Sequence, residues 1–352
     1  MTASTETIAS TLLRWYDSHA RDLPWRNPPG APLPGDPDWP YRVWLSEVML
    51  QQTTVAAVKP YYEKFLKRWP SVGDLAAAEE ADVMAEWAGL GYYSRARNLH
   101  ACARQVIELG GFPSEEAELR KLPGVGRYIA AAVASIAFGK HAVVVDANVE
   151  RIVSRLFSIE IPLPKGREQI TIRSAEITPR RRAGDFAQAQ MDLGSTLCAT
   201  RNPKCLLCPL SGHCQARQSG EPERYPMKAP KKAKPLRKGT AWWIERHGSA
   251  GKEVWLETRP GKGMLGGMRA LPDDGWSASG DGGGEAPITG ETENLGLVRH
   301  TFTHVSLELS VVRIVAASEP SGEGQWWPLC EIEQAGLPTL FAKAARLALA
   351  GS

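Results

Sequence analysis

A mainly α-helical N-terminal region followed by a smaller α+β region is what this sequence predicts, on three observations. Across residues 1–226 apolar side chains recur every three or four positions, the period of helices with one buried face. From residue 239 the alternation shortens to two, as in Ala241-Trp-Trp-Ile-Glu245 and Glu253-Val-Trp-Leu-Glu-Thr258, the pattern of half-buried strands. Between these regions, residues 227–238 carry six cationic side chains, two prolines and no acid, the composition of a linker that either follows phosphates or is a plain solvated tether.

The bulk properties narrow the class. At 352 residues the chain has room for two or three domains, and a net charge of +3 means that any affinity for a polyanion must come from local patches. The N-terminus lacks a basic, apolar leader, and the longest apolar run, 129–138, is too short to span a bilayer. The expectation is a cytoplasmic, nucleoid-associated monomer of bacterial type without membrane contact. Six cysteines in a long chain without a secretion signal, four of them between Cys198 and Cys214, read as a metal site in a reducing compartment rather than as disulfides.

In chain order, residues 6–20 predict a first helix, ended near Leu23-Pro24. Leu23-Pro-Trp-Arg26 sets an Arg beside a Trp, suited either to surface packing or to hydrogen bonding and stacking on an extruded base. Residues 27–40, with six prolines and two glycines, are a loop. A strongly apolar helix is expected over 43–58, with Glu47, Gln51 and Thr54 as a polar line on one face. Such a line usually means a solvated face. Glu47, however, is flanked by large apolar residues, a setting that raises a carboxyl pKa and suits a general acid.

Further helices are expected over 60–69, 74–88 and 94–109, with Gly89-Leu-Gly-Tyr-Tyr93 as a corner whose tyrosines either pack on the surface or wedge into stacked bases. Cys102 on an apolar face reads as a small core residue. Leu122-Pro-Gly-Val-Gly-Arg-Tyr128 is a turn feeding a helix, so the free N–H groups around Gly124, Val125 and Gly126 can meet a phosphate at a positive helix end. Asp146 precedes the run Val149, Ile152, Val153, Leu156, Phe157 and sits where an N-cap belongs. The dipole there is expected to hold its carboxylate ionised, compatible with a plain cap and with an electrostatic catalyst.

Helix resumes over 160–197, with a basic corner at 180–182. Cys198-x6-Cys205-x2-Cys208-x5-Cys214 suits a tetrahedral ion or a cubane cluster, and the spacing does not separate zinc from iron and sulfur. Beyond the linker, strands are expected at 241–245, 253–258, 295–298 and 305–315, a mobile Gly- and acid-rich loop at 277–294, and a closing helix at 338–349. His300 and His304 lack an evident third partner for a metal.

The glycine turn, the Asp twenty residues after Gly126 and the four-cysteine run together resemble the helix-hairpin-helix DNA glycosylase superfamily, and within it the MutY-type family that excises adenine. The likeness extends over nearly the whole chain. It implies a helical catalytic region at 1–226, comprising a helical barrel over about 30–138 and a cluster subdomain from 1–29 and 139–226, then the linker and a Nudix-like domain at 239–352. It also implies a [4Fe-4S] cluster on Cys198, Cys205, Cys208 and Cys214, and as partner a duplex carrying A opposite 8-oxoguanine or G.

Residue by residue, the resemblance makes Glu47, in Ser46-Glu-Val-Met-Leu-Gln-Gln-Thr53, the acid that protonates adenine, and Asp146 the anion that steadies the sugar cation, supported by Asn148 and Tyr128. It makes Arg26 and Gln188 contacts to the base, Gln51, Gln52 and Tyr92 residues that fill or wedge the duplex, and Leu122, Gly124, Val125 and Gly126 the phosphate clamp. Phe302, Thr303 and His304 stand where the family reads 8-oxoguanine, with Thr303 in place of the usual Ser. After Gly266-Gly267 the sequence lacks the clustered glutamates a Nudix hydrolase needs for Mg²⁺, so this domain is expected to bind rather than hydrolyse. The alternative is a bifunctional endonuclease III-like glycosylase-lyase acting on oxidised pyrimidines, which needs a Schiff-base lysine where Tyr128 stands. A non-catalytic damage-binding protein is a further rival, which the pairing of Glu47 with Asp146 disfavours.

Overall fold

The computed structural model describes residues 5–230, 233–248, 251–261, 263–302 and 304–350. They form two compact units, Met1–Pro230 and Lys231–Ser352.

The first unit is helical, with α1 (Thr5–His19), α2 (Trp39–Leu50), α3 (Val55–Arg68), α4 (Val72–Ala77), α5 (Glu80–Glu86), α6 (Ser94–Glu108), α7 (Glu116–Leu119), α8 (Arg127–Ile136), α9 (Ala147–Leu156), α10 (Arg167–Ile177), α11 (Ala183–Thr196) and α12 (Gln215–Gln218). The single helix expected over 43–58 is two. Gln51 closes α2 in an extended conformation, Gln52 takes a left-handed φ of 58°, and Thr54 caps α3 by accepting from the Ala57 amide at 3.3 Å. Glu47, Gln51 and Thr54 therefore share no continuous helical face, and the last two flank a bend rather than extend a stripe. The segments expected at 74–88 and 160–197 also divide, the first where Ser71 builds a capping box with Asp74 for α4 and Ala78 ends it, the second where Arg182 turns left-handed at φ 61°.

Two apolar cores organise the unit. One gathers α2, α3, α6 and α8, with Trp44, Phe65 and Trp87 fully enclosed; α8 is buried along almost its whole length, which its run of alanines permits by letting neighbouring helices approach closely. The other gathers α1, α9 and α11 around Leu12, Val153 and Phe186 and carries Cys198, Cys208 and Cys214 at its margin. Chain 163–229 closes on itself through Leu163 N to Met227 O at 2.8 Å, so residues expected to begin the linker belong to this unit.

The second unit is a mixed sheet of β1 (Leu236–Gly248), β2 (Gly251–Thr258), β3 (Arg269–Ala270), β4 (Thr292–Thr301), β5 (Ser306–Val315) and β6 (Gly324–Pro328), ordered β3-β2-β1-β5-β4 with β6 also on β2. β1 and β5 run parallel with Trp242 opposite Val312, and the other pairs are antiparallel. β1 starts inside the expected linker, because residues 236–238 pair with 306–308. Helix α13 (Thr339–Ala350) covers one face through Leu340, Phe341 and Ala344, while Trp242, Trp255 and Ile314 form a smaller cluster on the other. The loop expected to be mobile is tied down: Gly282 N donates to Lys238 O at 2.9 Å and Lys238 N to Asp281 Oδ1 at 3.1 Å.

Candidate active site

The helical unit opens in a cleft of about 1140 Å³ lined by residues from α2, the bend after it, α8, α9 and α11. Glu47 enters from α2, Tyr128 from the first turn of α8, Asp146 and Asn148 from the start of α9, and Gln188 from α11. The bend contributes Gln51 and Gln52. Residues scattered over more than 140 positions of sequence thus meet in one cavity, and both expected carboxyls face it.

Glu47 is 5% exposed, and burial pushes its carboxyl up to about 7, against the lowering effect of a hydrogen bond from the Tyr128 hydroxyl and of nearby Arg26. A carboxylic acid with that pKa is partly protonated at neutral pH and can donate. Burial also pushes the Tyr128 hydroxyl well above its usual range, which keeps it a donor. Tyr128 was expected to support Asp146; its hydrogen bond goes to Glu47 instead, because the first turn of α8 faces α2.

Asp146 is the N-cap of α9, accepting from Val149 N at 2.7 Å and from Asn148 Nδ2 at 2.8 Å. Against the expectation that the helix end holds it low, burial raises its pKa and outweighs those hydrogen bonds. A developing cation beside it offsets that desolvation, which is the condition an electrostatic catalyst needs. Asn148 is itself held: Arg151 Nη2 donates to its Oδ1 at 2.8 Å, while Arg151 Nε donates to Cys198 O at 2.7 Å. One guanidinium thereby links the cysteine loop to the partner of Asp146.

Arg26 lines the cleft but is not free to stack: its Nη1 pairs with Asp192 at 2.6 Å, and Arg21 Nε pairs with the other carboxylate oxygen at 2.6 Å. Asp192 is fully buried, so two cations compensate one enclosed anion and fix the Arg26 head at the cleft wall. Sequence reasoning missed Arg21 and Asp192; an acid within the apolar stretch of α11 was the available signal. Gln188 is buried, and its amide makes only a 3.4 Å contact to Gly184 O, leaving hydrogen-bonding capacity for a ligand.

The two glycines of the turn adopt different conformations. Gly124 has φ 71°, and a Cβ there would meet Asn98 Cβ at 2.7 Å. Gly126 has φ −80° and open space where a Cβ would stand, so it serves as the extended cap of α8 rather than as a left-handed residue. Leu122 and Val125 are buried in the core, so only the backbone of this turn is available to a phosphate. Tyr92, by contrast, is 58% exposed at a left-handed φ of 50°, with the Arg95 guanidinium 5.5 Å from its ring.

In the second unit, Phe302 packs at 5.8 Å on Trp276 and 4.4 Å from His300, half-buried, and His304 is exposed. Thr303 lies outside the described residues. No helix stands between Gly266-Gly267 and β4; a short strand and irregular chain fill that stretch.

Cys198, Cys205, Cys208 and Cys214 line one small pocket. Their thiols lie close enough that the other three raise the pKa of Cys208 beyond what burial does, while the Leu210 amide opposes it. Among the described residues no Cys, His, Asp or Glu group is gathered for a single metal ion. Four soft sulfur donors around one pocket, with the buried Arg155 donating to Cys198 Sγ at 3.2 Å and backbone amides aimed at Cys208 and Cys214, fit a larger iron-sulfur cluster of net negative charge.

Comparison with known proteins places both units in known families. A family model described as HhH-GPD superfamily base excision DNA repair protein matches residues 45–176, and one described as NUDIX domain matches 241–347. Adenine DNA glycosylase of Homo sapiens is 34% identical over 98% of this chain and 74% of its own length. The Arabidopsis thaliana protein of that name is 35% identical over 91% of this chain and 60% of its own, and that of Mycolicibacterium smegmatis 40% over 60% and 70%. Among solved structures, a thermostable thymine-DNA glycosylase covers 61% of this chain and 97% of its own at TM-score 0.54 and 32% identity. A non-covalent endonuclease III-DNA complex covers 62% and 98% at TM-score 0.51 and 24% identity, a likeness of fold.

Proposed function

Because the chain belongs to the adenine DNA glycosylases, and so cleaves the N-glycosyl bond of adenine in base-excision repair, we propose that it does so with Glu47 as acid and Asp146 as anion, at A opposite 8-oxoguanine or G. The observation that carries this reading is that the two carboxyls face one cleft with different partners, Glu47 on the Tyr128 hydroxyl and Asp146 on Asn148 and the α9 amides. Adenine leaves poorly until a ring nitrogen is protonated, and the breaking bond builds positive charge on the sugar. Glu47 gives the proton, its carboxyl kept partly protonated at neutral pH by burial and oriented by Tyr128. Asp146, fixed by Asn148 and the α9 amides, lies against the cationic sugar. Gln188 and the Arg26 guanidinium meet the base edge, and Gln52 and Tyr92 occupy or prise the gap left by extrusion.

Cys198, Cys205, Cys208 and Cys214 hold a [4Fe-4S] cluster, which when bound cross-links the loop from 198 to 214 and stiffens it for backbone contact. Tyr128 offers no amine for a Schiff base, so the reaction ends at the abasic site. The Nudix-like unit reads the opposite base through the segment Phe302, Thr303 and His304 and does not hydrolyse nucleotides. Incubation with duplexes carrying A opposite 8-oxoguanine, A opposite G, and an oxidised pyrimidine, followed by alkali, tests the reading. Strand breaks at A alone, fastest opposite 8-oxoguanine, are expected; preferential release of the oxidised pyrimidine, or an efficiently borohydride-trapped adduct, would overturn it.

A further inference from the structure

The charge of the cleft poses a problem for its ligand. An extruded nucleotide brings its backbone phosphates to the mouth, yet Glu47, Asp146 and Glu150 all line the cavity. Of its three lining arginines, Arg21 and Arg26 are both engaged by the buried Asp192. The third is Arg167, in the first turn of α10, its side chain 63% exposed and its Nε 2.7 Å from Glu150 Oε1. The N-terminus of α9, which would otherwise attract a phosphate, is already occupied by the Asp146 carboxylate and has Glu150 in its first turn.

We propose that Arg167 is the phosphate anchor of this cleft, exchanging Glu150 for a backbone phosphate of the extruded nucleotide, while Glu150 keeps the backbone off the α9 end so that the sugar alone approaches Asp146. The proposal rests on the reading of the cleft as the adenine site. The exchange is favoured on the arginine's side: its 63% exposed head meets one carboxylate oxygen of Glu150, whose own side chain is 15% exposed, whereas a phosphate offers the guanidinium fork a matched, doubly charge-assisted acceptor. The same ion pair explains how a solvent-facing arginine is kept pointing across the mouth before DNA arrives.

The two members of the pair then have opposite effects on binding, which a structural staple would not produce. Binding is measured over a range of salt with a duplex in which the target adenosine carries a 2′-fluorine that blocks cleavage, placed opposite 8-oxoguanine. Arg167→Ala is expected to weaken binding several-fold and to reduce the slope of log affinity against log salt by about one. Glu150→Gln, which frees the arginine, is expected to tighten binding; Arg167→Lys retains part of the slope; Arg173→Ala, an exposed cation of the same helix outside the cleft, leaves it unmoved. Thermal unfolding of each variant separates loss of fold from loss of contact. Arg167→Ala and Glu150→Gln weakening binding alike, or Arg167→Ala leaving the salt slope untouched, would overturn the anchor. A wild-type protein that releases no adenine from the unmodified duplex would instead overturn the reading of the cleft itself.

Discussion

Replacing Tyr128 by Phe removes one hydroxyl from a buried site and should move the pH dependence of base release upward. In the wild-type chain the Glu47 carboxyl stands at about 7 instead of 4.5, raised by burial and partly restrained by the hydrogen bond from Tyr128. At pH 7 an ordinary glutamic acid would be protonated in roughly one molecule in three hundred, whereas Glu47 is protonated in about half. The rate of base release should therefore be high below neutrality and fall about tenfold per pH unit above it.

A hydrogen bond to a charged acceptor contributes about 1.5–3 kcal/mol and one to a neutral acceptor about 0.5–1.5. The difference, about 1 to 1.5 kcal/mol, favours the carboxylate over the acid and corresponds to about one pKa unit. Tyr128→Phe should shift the falling limb to higher pH by about that much. The assay is single-turnover release of adenine across the pH range, with enzyme in excess. A limb that stays in place, or moves to lower pH, would refute the assignment of Glu47 as the group that must carry a proton.

The same raised pKa has a thermodynamic side. Between pH 4.5 and about 7 the folded chain binds a proton that the unfolded chain releases, so Glu47 costs stability progressively as pH rises through that window. Glu47→Gln should abolish base release yet raise the unfolding temperature at pH 8, by an increment corresponding to at most about 3 kcal/mol. Asp146→Asn should lower single-turnover release by at least about a hundredfold while duplex binding, measured by filter retention or anisotropy, stays near wild type. Gly124→Ala combines a left-handed φ with a 2.7 Å approach to Asn98, and should cost about 1–3 kcal/mol in thermal unfolding and weaken duplex binding together. Arg151→Met cuts the link between Cys198 and Asn148 and should lower turnover about 10- to 100-fold, with iron content reporting whether the cysteine loop still closes.

What the sequence makes legible is local. Asp146 reads as a cap because the apolar period begins just after it, Glu47 as a desolvated acid because its neighbours along the chain are large and apolar, and the cysteines as one donor set because they fall within a short loop. What it hides depends on long-range closure. The pairing of Asp192 with Arg21 spans 171 residues and leaves no periodic trace, and it changes the status of Arg26 from a free stacking group to one member of a fixed triad. The break after Leu50 also escaped periodicity, since Gln52 adopts a left-handed φ that its residue type does not announce. Leu122 and Val125 are hidden for a related reason: in a turn that offers its backbone outward, the side chains fill the core, and spacing alone does not say which way they face.

Glu47 belongs to one apolar core of the helical unit and Asp146 to the margin of the other. Each acid is held rigidly by its own surroundings, but the gap between them is set by how two separately packed bodies meet along α8 and α11. A substitution deep in either body need not touch an active residue to misalign proton donor and counter-charge. Warming should therefore silence turnover at temperatures where both bodies still absorb and scatter light as folded protein, with catalysis the more sensitive gauge of their mutual alignment.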